Sequence, residues 1–121
     1  GQKREYDRVL EEFLSEFDGP AVGFCYDSGH ENVQGTCFRL LEQFARRLAT
    51  VHIHDNTGRD THLLPREGTI DWDRFRRVFH RTGYAGNLLL ESSVGRSRFQ
   101  DPAAFLAEAR TQARLLCQSP E

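Results

Sequence analysis

An α/β fold on a parallel sheet is predicted by two features of the chain. Short apolar runs alternate along it with amphipathic helical patterns, and the last of those runs is almost pure leucine. Three runs have strand character: "AVGFCYD", "TVHIHDN" and "GNLLLESS", placing strands near 21–27, 50–55 and 86–92. The leucine run suits a strand covered on both faces, as parallel strands usually are.

Taken in order, the first helical pattern is "REYDRVLEEFLSEF", with Tyr6, Val9, Leu10, Phe13, Leu14 and Phe17 on one apolar stripe. The first strand follows and ends at Asp27. "TCFRLLEQFARRLA" then predicts a second helix with Phe38, Leu41, Phe44, Ala45 and Leu48 on its inner face. After the second strand comes a long loop, 56–70, and then "DWDRFRRVFHRTGY". There Asp71 is the expected cap, Trp72, Phe75, Val78 and Phe79 the buried stripe, and Gly83 the stop. After the third strand, Asp101 and Pro102 open a final helix carrying Phe105, Leu106, Ala109, Ala113 and Leu116. The order α-β-α-β-α-β-α is a succession of βαβ units.

Size and composition narrow the function. The 121 residues allow one domain, taken as 1–121, with one core. With 38% hydrophobic and 28% charged residues the chain is expected to be soluble, and no apolar run nears the roughly 18 residues of a membrane helix. The N-terminal segment is charged and lacks the apolar stretch of a signal peptide. A net charge of −2 argues against non-specific nucleic-acid binding. Cys25, Cys37 and Cys117 form no CxxC pair, which points to a reducing, cytoplasmic compartment, with Cys25 expected to be buried.

Three of the five histidines fall in "VHIHDNTGRDTH". Buried imidazoles and carboxylates need partners, and a metal ion satisfies several at once. Asp27 ends the first strand, His52 and His54 share a face of the second, and Glu91 ends the third. In a parallel sheet these ends lie side by side, giving a mixed nitrogen and oxygen donor set suited to Mn²⁺, Co²⁺, Zn²⁺ or Mg²⁺. Any one such acid is more often a helix cap; three converging positions are harder to assign that way. His30, Asp60 and His62 offer a second ion site or contacts to a polar substrate. The alternative is a solvated loop folded back on its own backbone. Among the remaining polar residues, Arg66 is expected to pair with Glu67 or Asp71, His54 to be either substrate-facing or simply buried, and His80 to face solvent.

"VGFCYDSGH", "VHIHDN", "RDTHLLPREGTIDW" and "GNLLLES" together resemble the C-terminal part of the xylose isomerase-like TIM barrels. That superfamily includes sugar and sugar-phosphate isomerases and epimerases as well as metal-dependent apurinic endonucleases. The resemblance implies a partial (β/α) barrel made of its last three parallel strands with their helices. It places Asp27, His52 and Glu91 on three of the four shared metal ligands, with the fourth, a glutamate of an earlier strand, having no counterpart here. His30, Asp60 and His62 match positions that hold an additional metal in the endonucleases and that touch substrate in the isomerases.

The resemblance therefore implies one divalent metal and room for a second. The implied reaction is isomerisation or epimerisation of a sugar or sugar phosphate through an enediolate, with Glu91 as acid/base. His54, Arg59 and Arg66 are the implied substrate contacts, the arginines for a phosphate. Two alternatives stand beside it: an endonuclease-like phosphodiesterase, and a non-catalytic half-barrel that needs a partner. A complete barrel has eight βα units and about 250 residues. A three-stranded sheet is thus expected to need a second copy or a complementing chain over its open side.

Overall fold

In the computed structural model, which describes residues 2–120, three strands form one parallel sheet in the order β1-β2-β3. Helix α1 (Gln2–Glu16) leads into β1 (Phe24–Asp27). Two short helices, α2 (Ser28–Gln34) and α3 (Arg39–Gln43), and a 3-10 turn connect β1 to β2 (Leu48–Ile53). Helix α4 (Trp72–Arg81) lies between β2 and β3 (Leu88–Leu90), and α5 (Pro102–Cys117) closes the order. No helix among the described residues is long and apolar enough to cross a membrane.

The register explains which side of the sheet is the core. Tyr26 pairs with Val51 and Val51 with Leu88, so these side chains share one face. Phe24, Tyr26, Val51 and Ile53 are buried there against Leu14, Leu41, Phe44, Trp72 and Phe75. Cys25 with Thr50, and Asp27 with His52 and Leu89, occupy the opposite face. On that face Cys25 is exposed and Leu89 is 51% exposed. The expected burial of Cys25 and of both faces of the leucine strand is thereby corrected. The pattern "LLL" marks an apolar strand but does not say whether anything covers each side.

Helix α4 follows its periodicity. Asp71 accepts a hydrogen bond from the Arg74 amide at 3.0 Å, and Trp72, Phe75, Val78 and Phe79 are buried. Asp101 likewise caps α5 through the Ala104 amide at 3.0 Å, with Pro102 in the first turn. In α5 the buried positions are Phe105, Ala109, Gln112 and Leu116, whereas Leu106 is 65% exposed, one step around the helix from that stripe.

Two helical expectations change. The helix predicted over 36–49 is reduced to α3, because Leu48 must already be extended to pair with Phe24. Phe38, just before α3, has φ 66°, and the cap of α3 comes instead from the Glu31 carboxylate, which accepts the Leu40 amide at 2.9 Å. On α1, Leu14 is buried and Leu10 half-buried, but Val9, Phe13 and Phe17 of the predicted stripe are exposed. The side chain of Tyr6 lies outside the described residues.

Candidate metal centre at the strand ends

Asp27 has two roles set by its position at the end of β1. Its Oδ1 caps α2 by accepting the His30 amide at 2.8 Å, so "DSGH" is the first turn of a helix. The same carboxylate lies 2.8 Å from His54 Nε2, 3.4 Å from His30 Nδ1 and 4.0 Å from His52 Nδ1. Burial pushes the Asp27 carboxyl up, but the close His54 ring and the hydrogen bond from the His30 amide outweigh it and hold the group below the usual range. His52, one residue along β2 in register with Asp27, also has Nδ1 3.3 Å from Glu91 Oε2. Its ring therefore stands between two carboxylates.

The second half of the site is contributed by the long loop after β2. His30 Nε2 lies 3.4 Å from Asp60 Oδ2, and His62 Nε2 lies 3.2 Å from Asp60 Oδ1. His62 has φ 51°, and its Nδ1 is 2.6 Å from the Glu91 carbonyl oxygen. A carbonyl only accepts, so Nδ1 carries the ring hydrogen. Nε2 then faces the Asp60 carboxylate 3.2 Å away, where a proton or a cation between the two would hold them together.

His54 joins this second group. Its sequence position implied only a substrate contact or a merely buried ring. It is 0% exposed, stacked on His62 with ring centroids 3.9 Å apart and planes 5° from parallel. Ser28 fixes its backbone from both sides, donating to the His54 carbonyl at 2.8 Å and accepting the His54 amide at 3.0 Å. Gly29 leaves the room the ring needs, since a Cβ there would overlap it. Asp27 is close to Nε2 but out of line for a ring N–H, and both ring nitrogens lack a well-aligned hydrogen-bond partner. Buried imidazole nitrogens without partners are costly, and a cation ligated there would remove that cost.

Two clusters thus form among the described residues: Asp27–His52–Glu91 and His30–His54–Asp60–His62. Within each, one donor atom from every residue lies within 4.8 Å of the others. Imidazole and carboxylate donors without thiolates fit a divalent ion of the Mn²⁺, Co²⁺, Zn²⁺ or Mg²⁺ kind. A cleft of about 560 Å³ opens beside them, with Asp27, His52, Asp60 and Glu91 on its polar side and Phe24 and Leu40 on its apolar side.

Other predicted site residues lie elsewhere. Arg66 pairs with Asp73 at 2.8 Å rather than with Glu67 or Asp71, and neither it nor the exposed Arg59 lines the cleft. His80 is not simply solvent-facing, because its Nε2 lies 3.0 Å from the Leu116 carbonyl. Sequence reading passed over two buried acids. Glu31 lines the cleft, where it caps α3 and accepts from the Tyr26 hydroxyl at 3.3 Å, and burial raises its pKa. Asp55 is 0% exposed beneath the long loop. An acid directly after a buried strand, facing a glycine-containing turn in need of acceptors, was the signal available for it.

The comparisons with known proteins agree with the fold. A family model described as the xylose isomerase-like TIM barrel matches residues 6–115. The uncharacterized protein y4fM of Sinorhizobium fredii is 40% identical over 93 residues, covering 75% of this chain and 29% of that protein. The uncharacterized protein MJ1311 of Methanocaldococcus jannaschii is 30% identical over 87 residues, covering 69% of this chain and 30% of that protein. The chain thus spans less than a third of the length of the curated relatives it matches. In a closed barrel of this kind helices cover the outside of the strands and side chains fill the inside. The helix-covered face here corresponds to the outside, and the face bearing Cys25, His52 and Leu89 to the inside. With the family model spanning nearly the whole chain, the chain belongs to the xylose isomerase-like TIM barrel family.

Proposed function

We propose that this chain forms the metal-bearing rim of a sugar isomerase or epimerase that works through an enediolate. The observation that carries the reading is the convergence of Asp27, His52 and Glu91 from three adjacent strand ends onto one cleft. A divalent cation held there would supply Lewis-acid stabilisation as charge develops on neighbouring carbonyl and hydroxyl oxygens. Glu91 would take the proton from the carbon beside the carbonyl, and a second acid from the remainder of a barrel-length protein would return it on the other face. The exposed His30 and Asp60 would hydrogen-bond the hydroxyls. Arg59 and Arg66 lie away from the cleft, so a phosphate on the sugar would have to be met by other residues.

The test is solvent exchange. With Mn²⁺ or Co²⁺ added, the protein should move deuterium from D₂O onto the carbon next to the carbonyl of an aldose or ketose. A chelator or Glu91→Gln should stop the exchange. The His30–His54–Asp60–His62 cluster favours a second reading, an endonuclease-like phosphodiesterase, and cleavage of abasic DNA without sugar exchange would select it. Ion binding with neither reaction would leave a non-catalytic half-barrel.

A further inference from the structure

We propose that Asp55 is the positioning residue of the site: it folds the long loop so that Asp60 and His62 reach His30 and His54. The inference rests on the reading of that loop as part of the functional site. Asp55 is wholly buried, contributes to neither cluster, and directs four of its five carboxylate contacts at the backbone of the loop, the fifth being at Trp72 where α4 begins. Its Oδ1 accepts the amides of Asn56 at 2.8 Å and Ile70 at 3.2 Å. Its Oδ2 accepts the amides of Arg66 at 3.1 Å and Gly68 at 3.0 Å, and the Trp72 indole N–H at 2.7 Å. Gly68 has no room for a side chain over this carboxylate.

The backbone of the same residue closes the loop. The Asp55 amide donates to the Leu63 carbonyl at 2.8 Å, and the Leu63 amide donates to the Asp55 carbonyl at 2.9 Å. Residues 56–62 are thereby pinched into an excursion whose far side carries Asp60 and whose last residue is His62. His62 sits in the left-handed region there, which few non-glycine residues adopt. Its carbonyl accepts the Ser93 amide at 2.8 Å, and its ring meets the Glu91 carbonyl. A carboxylate satisfies the five donors because both its oxygens only accept. An asparagine would aim its NH₂ at two or three N–H groups in either orientation, so the excursion should lose its hold.

The experiment follows the ring nitrogens by long-range ¹H–¹⁵N NMR on metal-free protein, which needs no ion and no turnover. In the wild type, His62 should show the Nδ1–H tautomer that its bond to Glu91 imposes. His80, bonded to the Leu116 carbonyl far from the loop, reports on the fold. Asp55→Asn should lose the His62 signature and keep that of His80. Subsequent Mn²⁺ titration should show at least a tenfold weaker second site with the Asp27–His52–Glu91 site within threefold of wild type. If Asp55→Asn does not fold, Trp72→Phe, which removes one donor, should shift His62 and leave His80 in place. An unchanged His62 tautomer in the folded variants would overturn the inference and leave the proposed function standing. A wild type that binds no ion would sink the proposed function, while the tautomer readout still decides on Asp55.

Discussion

Replacing Asp27 with serine is expected to abolish tight divalent-ion binding at Asp27–His52–Glu91 while leaving the fold nearly as stable as the wild type. Serine is as good an N-cap as aspartate, so the bond to the His30 amide is kept and the cost to stability should stay within about 0.5 kcal/mol. What disappears is the negative charge that lies within 4.0 Å of His30, His52 and His54. Loss of even an outer partner of a metal ligand typically weakens an ion about 10- to 100-fold, so loss of a ligand should exceed about 100-fold. Calorimetric titration with Mn²⁺ beside thermal unfolding in chelator separates the two effects. Asp27→Ala is the contrasting variant, losing the ion and about 1 kcal/mol of cap as well. Equal ion affinity in wild type and Asp27→Ser would remove Asp27 from the site.

The largest effect on stability is expected from Phe75→Ala. Phe75 is 0% exposed, and its ring lies 5.3 Å from that of Trp72, 5.5 Å from Phe79, 5.9 Å from Phe38 and 6.4 Å from Tyr26. It thus joins α4 to β1 and to the residue preceding α3. Emptying such a position costs about 3–5 kcal/mol, a large part of the roughly 5–15 kcal/mol that holds a domain folded. The melting midpoint should fall by more than about 10 °C. Leu106→Ala, on the outer side of α5, should change stability by no more than about 0.5 kcal/mol. A Phe75→Ala protein that melts like the wild type would contradict the packing of the aromatic cluster.

The parts of this molecule legible in the sequence are those where local pattern and tertiary packing agree. Helix α4 is one: its stripe of Trp72, Phe75, Val78 and Phe79 is what the sheet buries, and Asp71 caps it as its place before the apolar run implies. The three strands and their parallel order were legible for the same reason. Phe38 to Leu48 was not, because a good helical period there yields to the pairing of Leu48 with Phe24. The exposure of Cys25 and Leu89 was equally hidden, since apolar character says that a residue can be buried and not what is present to bury it.

In the site, strand-end positions could be read because alternation puts His52 and Asp27 on one face and register puts them side by side. The part played by His54 could not, because it depends on Gly29 and Ser28 fitting around the ring. The reach of His62 depends on its hydrogen bond to the Glu91 carbonyl and on the one its own carbonyl accepts from the Ser93 amide, some thirty residues away in the chain. Such long-range contacts leave no periodic trace.

The central claim is that the strand-end carboxylates and imidazoles hold a divalent cation. Metal content per chain, measured on purified protein and on His52→Ala by elemental analysis after exhaustive dialysis, tests it most directly. The account predicts at least one tightly bound Mn²⁺, Co²⁺, Zn²⁺ or Mg²⁺ per wild-type chain, with the ion at Asp27–His52–Glu91 lost from His52→Ala. No stoichiometric metal in the wild type, including after incubation with each of these ions, would contradict it.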